Sequence, residues 1–448
     1  MMCGAVRRSL VSVSERPNVV LIHGHDVGRF LSCHGRTAVP SPNLDAFAGG
    51  AVVFDNAFST APLCTPARSS LFTGRSPHVN GLMGLAHDGW RYRHSVRTMP
   101  EVLSEHGYHT ALVGLQHEHP DPTVVGFDEV RGMGFLPRAL PVAEEAAAWL
   151  RRRRDDDAQF LLTVGMWEAH RPWRAEDYEF ADPATVEVPA FLPDNEHTRE
   201  DLAGFYGAIR QFDQAVGHVL RAVDEFCDPA STMVIVTTDH GAAFPRAKGT
   251  LYDPGVEVAL VVRPPSSWRA GPARVTSMVS HLDILPTLVE AAGGEARPEW
   301  EGRSLVGDLR GEAGPAEREL YLEKTYHDGY DPIRAVRTQR YKLIRNFADG
   351  PRLTLAKDLE ESPTRRGMGD AHLASRPALE LYDLLTDPAE LTDLADDPGH
   401  QEVVAGLRGR LERWMTATAD PLLDGSIGRP AASSRLVDAQ PDLAGQTG

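Results

Sequence analysis

From residue 17 to about residue 310, short apolar runs alternate with longer stretches of helical period. Asn18-Val19-Val20-Leu21-Ile22, His109-Thr110-Ala111-Leu112-Val113, Phe160-Leu161-Leu162-Thr163-Val164, Met233-Val234-Ile235-Val236-Thr237 and Val258-Ala259-Leu260-Val261-Val262 are too short for core helices. Their lack of apolar–polar alternation predicts strands buried on both faces. Helices are expected over residues 100–106, 202–226 and 284–292. Strands interleaved with helices predict an α/β domain: a large, mostly parallel sheet sandwiched by helices.

The pattern changes near residue 315. Ala335-Val336-Arg337-Thr338 and Tyr341-Lys342-Leu343-Ile344-Arg345 predict two antiparallel strands, residues 379–384 a third, and residues 402–415 a covering helix. The expected organisation is an N-terminal extension (1–16), a catalytic domain (17–314), a smaller C-terminal α+β subdomain with an antiparallel sheet (315–424), and a tail (425–448). That tail is rich in Ser, Pro, Gly and Ala and has little to bury, so it reads as disordered. No internal repeat is visible. The run Arg151–Arg154 followed by Asp155–Asp157 reads as a solvated helix end and loop.

Composition narrows the function classes. A formal charge of −17 argues against nucleic acid, which needs a basic face, and means that an anionic substrate depends on local positive charge. Four cysteines, Cys3, Cys33, Cys64 and Cys227, are too few and scattered for a disulfide framework or a paired-cysteine zinc site. No window is apolar for the ~18 residues a membrane span requires. The segment 1–17 lacks the unbroken apolar stretch of a secretory signal, so the expected setting is reducing and cytoplasmic.

The candidate chemistry sits where the predicted strands end. In open α/β sheets, ligands collect at the carboxyl ends of the strands. There the chain places His23-Gly24-His25-Asp26, Gly114-Leu115-Gln116-His117, Trp167-Glu168-Ala169-His170 and Thr238-Asp239-His240-Gly241. Carboxylate and imidazole at such positions suit a divalent cation. A further segment, Leu63-Cys64-Thr65-Pro66-Ala67-Arg68-Ser69-Ser70-Leu71-Phe72-Thr73-Gly74, has Pro66 in a position suited to a first helical turn. Cys64 would then lie at a helix mouth that attracts anions, with the Arg68 fork one turn along.

The chain resembles the sulfatase family of the alkaline phosphatase superfamily, and within it the sulfamidase (heparan N-sulfatase) type. The resemblance rests on Pro17-Asn18-Val19-Val20, Pro42-Asn43-Leu44-Asp45, Cys64 to Gly74, Val79-Asn80-Gly81-Leu82-Met83-Gly84-Leu85, Thr238-Asp239-His240-Gly241 with Phe244-Pro245, Lys248 and Leu251-Tyr252, and Leu381-Tyr382-Asp383-Leu384. It implies that Cys64 is oxidised to formylglycine by a formylglycine-generating enzyme, and that the hydrated aldehyde is the nucleophile. It further implies that Asp26, Asp239 and His240 bind one divalent metal, calcium by resemblance, together with residue 64. Arg68 would hold the diol and a metal-bound carboxylate, and His117, His170 and Lys248 would surround the sulfate. One hydroxyl would attack sulfur, His170 or Lys248 would protonate the leaving atom, and His117 would deprotonate the second hydroxyl to expel sulfate. The implied substrate is a small sulfated molecule, such as a sulfated amino sugar.

Two positions depart from the family pattern. His25 stands where the family has a first aspartate, and Leu115 where it has a lysine. The two losses offset in charge. His25 and His240 together would favour a softer ion such as manganese. A phosphonate monoester or phosphodiester hydrolase with the same nucleophile, and a non-catalytic binding protein, are the alternative readings. His87, Asp88, Glu168 and His327 are further polar residues near these motifs, each with an equal reading as a surface or loop residue.

Overall fold

The computed structural model describes residues 16–431 except 135, 270, 315 and 316. The larger sheet has eight strands: β1 (Asn18–Gly24), β2 (Val52–Phe58), β3 (His109–Gly114), β4 (Glu129–Arg131), β5 (Phe160–Gly165), β6 (Thr232–Thr238), β7 (Leu260–Arg263) and β8 (Ala273–Ser280). Their spatial order is β4-β3-β5-β1-β6-β7-β2-β8. Strands β4 to β6 run parallel, whereas β7 pairs antiparallel with both β6 and β2.

Strand β1 shows why the apolar runs are continuous. Val20 and Ile22 enter one core with Trp149 of helix Ala139–Arg153 and Phe205 of helix Glu196–Phe226. Val19 and Leu21 enter the opposite core with Leu71, Val102 and Leu285. Alternate side chains of a strand point to opposite faces, so a sheet covered twice needs apolar residues at both phases.

The smaller sheet has the order β12-β11-β10-β9, with β9 (Leu320–Tyr326), β10 (Tyr330–Arg337), β11 (Tyr341–Asn346) and β12 (Leu379–Asp383). Helix Gln401–Ala417 covers Val336, Leu343 and Leu381 on one face. Leu322, Ala335 and Ile344 on the other face pack against Phe58, Leu251 and Met278 of the first unit. Two backbone bonds pull the β9–β10 hairpin over the large sheet: Glu323 N–H to Thr60 O at 2.8 Å, and Tyr326 N–H to Met83 O at 3.0 Å.

Several expectations needed amendment. Strands β2, β4, β8 and β9 were not anticipated, and β7 runs against its neighbours rather than with them. Pro66 is the third residue of helix Cys64–Thr73, still within its first turn. Of the tail, residues up to 431 are described; Ile427 O accepts from Tyr326 Oη at 2.8 Å, and the remainder lies outside the described residues, as does the 1–15 stretch. Among the described residues, no helix is long and apolar enough to cross a membrane.

Candidate active site

The strand-end residues converge beneath the mouth of helix Cys64–Thr73. His25, Asp26, Cys64 and His240 are all buried, and each offers one donor atom, these atoms lying within 4.8 Å of one another. Asp26 sits in the left-handed region at φ 57°, as does His117 at φ 77°. Non-glycine residues rarely adopt that region, and where they do the fold is enforcing a particular side-chain direction. Gly241, directly after His240, has no alternative: a Cβ there would lie 2.0 Å from Pro254 O.

The donor chemistry fits a cation. Nε2 of His240 and Oδ1 of Asp26 are 3.0 Å apart, yet neither atom has a hydrogen-bond partner. Both nitrogens of His25 are likewise unpartnered and buried. The Nδ1–H of His240 faces Gly241 O at 3.0 Å, which directs the Nε2 lone pair into the cluster in the tautomer a metal ligand needs. Burial opposes a charge on His240, but Asp239 and Asp26 outweigh it and raise its pKa to about 10. A position where two carboxylates hold a proton this firmly is a position built for positive charge.

Asp239 is engaged differently from Asp26. Its Oδ1 accepts the backbone N–H groups of Asp26 at 2.9 Å and His240 at 2.8 Å, and its Oδ2 accepts from Arg68 at 3.1 Å. That Oδ2 also lies 3.4 Å from His25 Nε2 and 3.6 Å from His240 Nε2, at the edge of the cluster. Arg68, wholly buried, further donates to Gly24 O at 3.2 Å and contacts His23 Nδ1 at 2.5 Å. It therefore fixes β1 to β6 beneath residue 64.

On the other side, Lys248 donates to Asp26 Oδ2 at 2.7 Å and Asp358 Oδ2 at 2.8 Å, and its Nζ lies 3.4 Å from His170 Nε2. Burial disfavours the ammonium, but Asp26 and Asp358 hold its pKa above the ordinary lysine value. His170 is the reverse case: burial, then the Lys248 charge, push it down to about 4. Its Nδ1 contacts Arg171 O at 2.5 Å, so Nδ1 carries the proton and Nε2 accepts from Lys248. Of this pair, Lys248 carries the proton.

Cys64 is 3% exposed. Burial raises the thiol pKa, but His25, His117 and His240 together hold it well below the ordinary thiol range. His117 is placed by Thr65, whose hydroxyl donates to His117 O at 2.8 Å, and its imidazole Nδ1 is free of partners. Leu115 is buried and brings no charge, while Gln116 Oε1 accepts the His119 N–H at 2.9 Å rather than reaching the site. Arg68 and Lys248 are thus the positive side chains in contact with the metal-type donors.

Sequence reasoning missed Asp358, the second partner of Lys248, which stands inside the acidic stretch Asp358-Leu359-Glu360-Glu361 and carries no distinguishing local signal. His327 reaches the site from the β9–β10 hairpin, where Asp328 lies 2.8 Å from its Nδ1 and Cys64 is among its contacts. Glu168 is structural: it accepts from Ala139 N at 2.7 Å and Gln211 Nε2 at 2.9 Å. His87 stacks with His117 at 6.3 Å, and Asp88 lies 3.7 Å from Arg429.

Comparison with known proteins agrees with this geometry. Residues 17–294 match the family model "Sulfatase", and residues 244–367 match "N-sulphoglucosamine sulphohydrolase, C-terminal". The chain is 29% identical to N-sulphoglucosamine sulphohydrolase of Homo sapiens, covering 94% of each protein. It also superposes on a structure solved with its substrate D-glucosamine-2-N,6-O-disulfate, with TM-score 0.72 and 17% identity over 92% of this chain and 100% of that one. The phosphonate monoester hydrolase of Agrobacterium radiobacter shares the fold at TM-score 0.69 and 20% identity, over 91% of this chain and 97% of that one.

Proposed function

The chain belongs to the sulfatase family, and on that premise we propose that it hydrolyses a small sulfate ester or sulfamate, with a sulfated amino sugar as the substrate class. One observation carries this reading: Cys64 lies in a single buried donor cluster with His25, Asp26 and His240, at the first turn of its helix. In this proposal Cys64 is converted to formylglycine by a dedicated generating enzyme. The proposal includes a reducing, cytoplasmic setting, in which Cys33 and Cys227 would remain thiols.

Each residue then has a task. A divalent cation held by His25, Asp26, His240 and residue 64, with Asp239 alongside, would supply Lewis acidity toward the nucleophile and the sulfuryl oxygens. One hydroxyl of the hydrated aldehyde releases its proton to solvent, and its oxygen forms a bond to sulfur while the bond from sulfur to the leaving oxygen or nitrogen breaks. Lys248 gives its proton to that leaving atom, since neutral His170 accepts from Lys248 and has no Nε2 proton to give. His117, whose pKa burial lowers, then takes the proton of the second hydroxyl. The carbon–oxygen bond to sulfate breaks, sulfate leaves, the aldehyde returns, and water rehydrates it. Arg68 keeps residue 64 and Asp239 in register throughout.

Peptide mass spectrometry of residue 64, coupled to parallel assays with an aryl sulfate and an aryl phosphonate, tests the proposal. Formylglycine with preferential sulfate turnover supports it. Preference for the phosphonate shifts the reading to phosphonate monoester hydrolysis. An unmodified thiol in a host that contains the generating enzyme, with neither ester cleaved, leaves a binding protein.

A further inference from the structure

Beside the reaction centre lies an open cleft of about 600 Å³, lined among others by Trp173, Phe180, Glu200, Asp358 and Glu361. That volume suits a small molecule. We propose that this cleft is a subsite for an amine-bearing pyranose ring, which makes the substrate an O-sulfated hexosamine with a free ammonium group. The proposal rests on the sulfatase reading above and narrows it.

The cleft is joined to the chemistry through one side chain. Asp358 lines it and also accepts from Lys248, the group that protonates the leaving atom. The cleft therefore meets the reacting groups through the Asp358–Lys248 contact.

The walls carry the recognition chemistry. Phe180 is 39% exposed, a large apolar side chain left open to solvent at the edge of a concavity. Trp173 has one face covered by the Arg171 guanidinium, 3.9 Å from the ring centroid, and its indole N–H donates to Ala169 O at 2.9 Å. Arg171 in turn is committed to Asp201 through two bonds of 2.7 Å, and Asp201 also accepts the Thr364 hydroxyl at 2.6 Å. These bonds hold the groups as fixed walls of the cleft. The face of an exposed aromatic ring such as Phe180 suits the apolar face of a sugar ring.

Glu200 and Glu361 differ from every other charge around the cleft. Both are exposed, and among the described residues neither side chain has an ion-pair or hydrogen-bond partner. Two uncompensated carboxylates on the rim of an aromatic cleft attract a cation and repel a second sulfate group. An ammonium group supplies that cation, with its remaining N–H bonds free for charge-assisted contacts. A polysulfated glycan would meet both these carboxylates and the overall charge of −17.

Calorimetric titration of the mature enzyme with D-glucosamine and with N-acetylglucosamine tests the subsite without relying on turnover. The expected result is at least tenfold tighter binding of glucosamine, about 1.4 kcal/mol. That preference should vanish in the double variant E200Q/E361Q, and F180A should weaken both sugars, with melting temperatures unchanged because all three side chains are exposed. Equal binding of the two sugars, absence of binding, or a preference that survives in E200Q/E361Q overturns the proposal. Loss of aryl sulfate activity with retained glucosamine binding would instead count against the sulfatase reading alone.

Discussion

The Nζ of Lys248 lies 2.7 Å from Oδ2 of Asp26 and so joins the donor cluster to the groups above it. The same ammonium reaches Asp358 at 2.8 Å, making it a buried cation shared by two carboxylates. Removing it leaves two acids facing each other and, in the proposed mechanism, deprives the leaving atom of its proton. Lys248→Met is expected to lower kcat on an aryl sulfate by about 10²–10⁴-fold, the usual contribution of a positioned acid. Steady-state assays check this, and a kcat within a few-fold of wild type would return the acid role to His170.

Both nitrogens of His25 are buried without a hydrogen-bond partner and so are free to coordinate. The imidazole pair His25 and His240 is expected to favour manganese over calcium, and His25→Asp to reverse that order. After chelation, activity should fall and return best with manganese in the wild type and with calcium in the variant. Elemental analysis finding calcium at full occupancy in the wild type would contradict it.

Glu118 is fully buried with neither carboxylate oxygen partnered, and burial raises its pKa to about 8. A folded-state pKa above the unfolded one means that the folded chain binds the extra proton. This contribution is therefore intact below the ordinary carboxyl range and is lost as the pH climbs through about 8. Glu118→Gln should match wild type near pH 5 and exceed it at pH 9 by about 1–3 kcal/mol, the cost of a buried unsatisfied group. Denaturant unfolding at the two pH values measures the difference; equal stability at both would refute the account.

The paired bonds between Arg171 and Asp201 hold the segment that follows His170. Asp201→Ala strands a buried guanidinium and should cost about 3–5 kcal/mol, whereas replacing both partners with apolar residues should cost less. Chemical denaturation of the single and double variants distinguishes the two; equal losses would mean that packing, not charge, dominates there.

Much of the site was legible because its motifs are local. His25 and Asp26 follow a run whose burial on both faces is written in consecutive apolar residues, and Asp239 and His240 follow another. Strand β8 was not legible: only its last three residues are buried, and its first five are exposed or half-buried in alternation. Strand β2 is interrupted by Asp55 and Asn56, which are half-buried polar residues inside the strand. The antiparallel direction of β7 is a property of its connection to β6, and composition carries no sign for direction. Asp358 meets Lys248 across 110 positions of sequence, and no periodicity spans such a distance.

The hairpin that brings His327 to Cys64 has a consequence in time. Cys64 is closed over only when residues some 260 positions later have folded back onto it through Thr60 and Met83. On the proposed conversion of Cys64, a generating enzyme would have to reach a thiol that is 3% exposed once the chain has folded. In that proposal maturation and folding would compete, and a variant that folds faster would emerge with less of its nucleophile made.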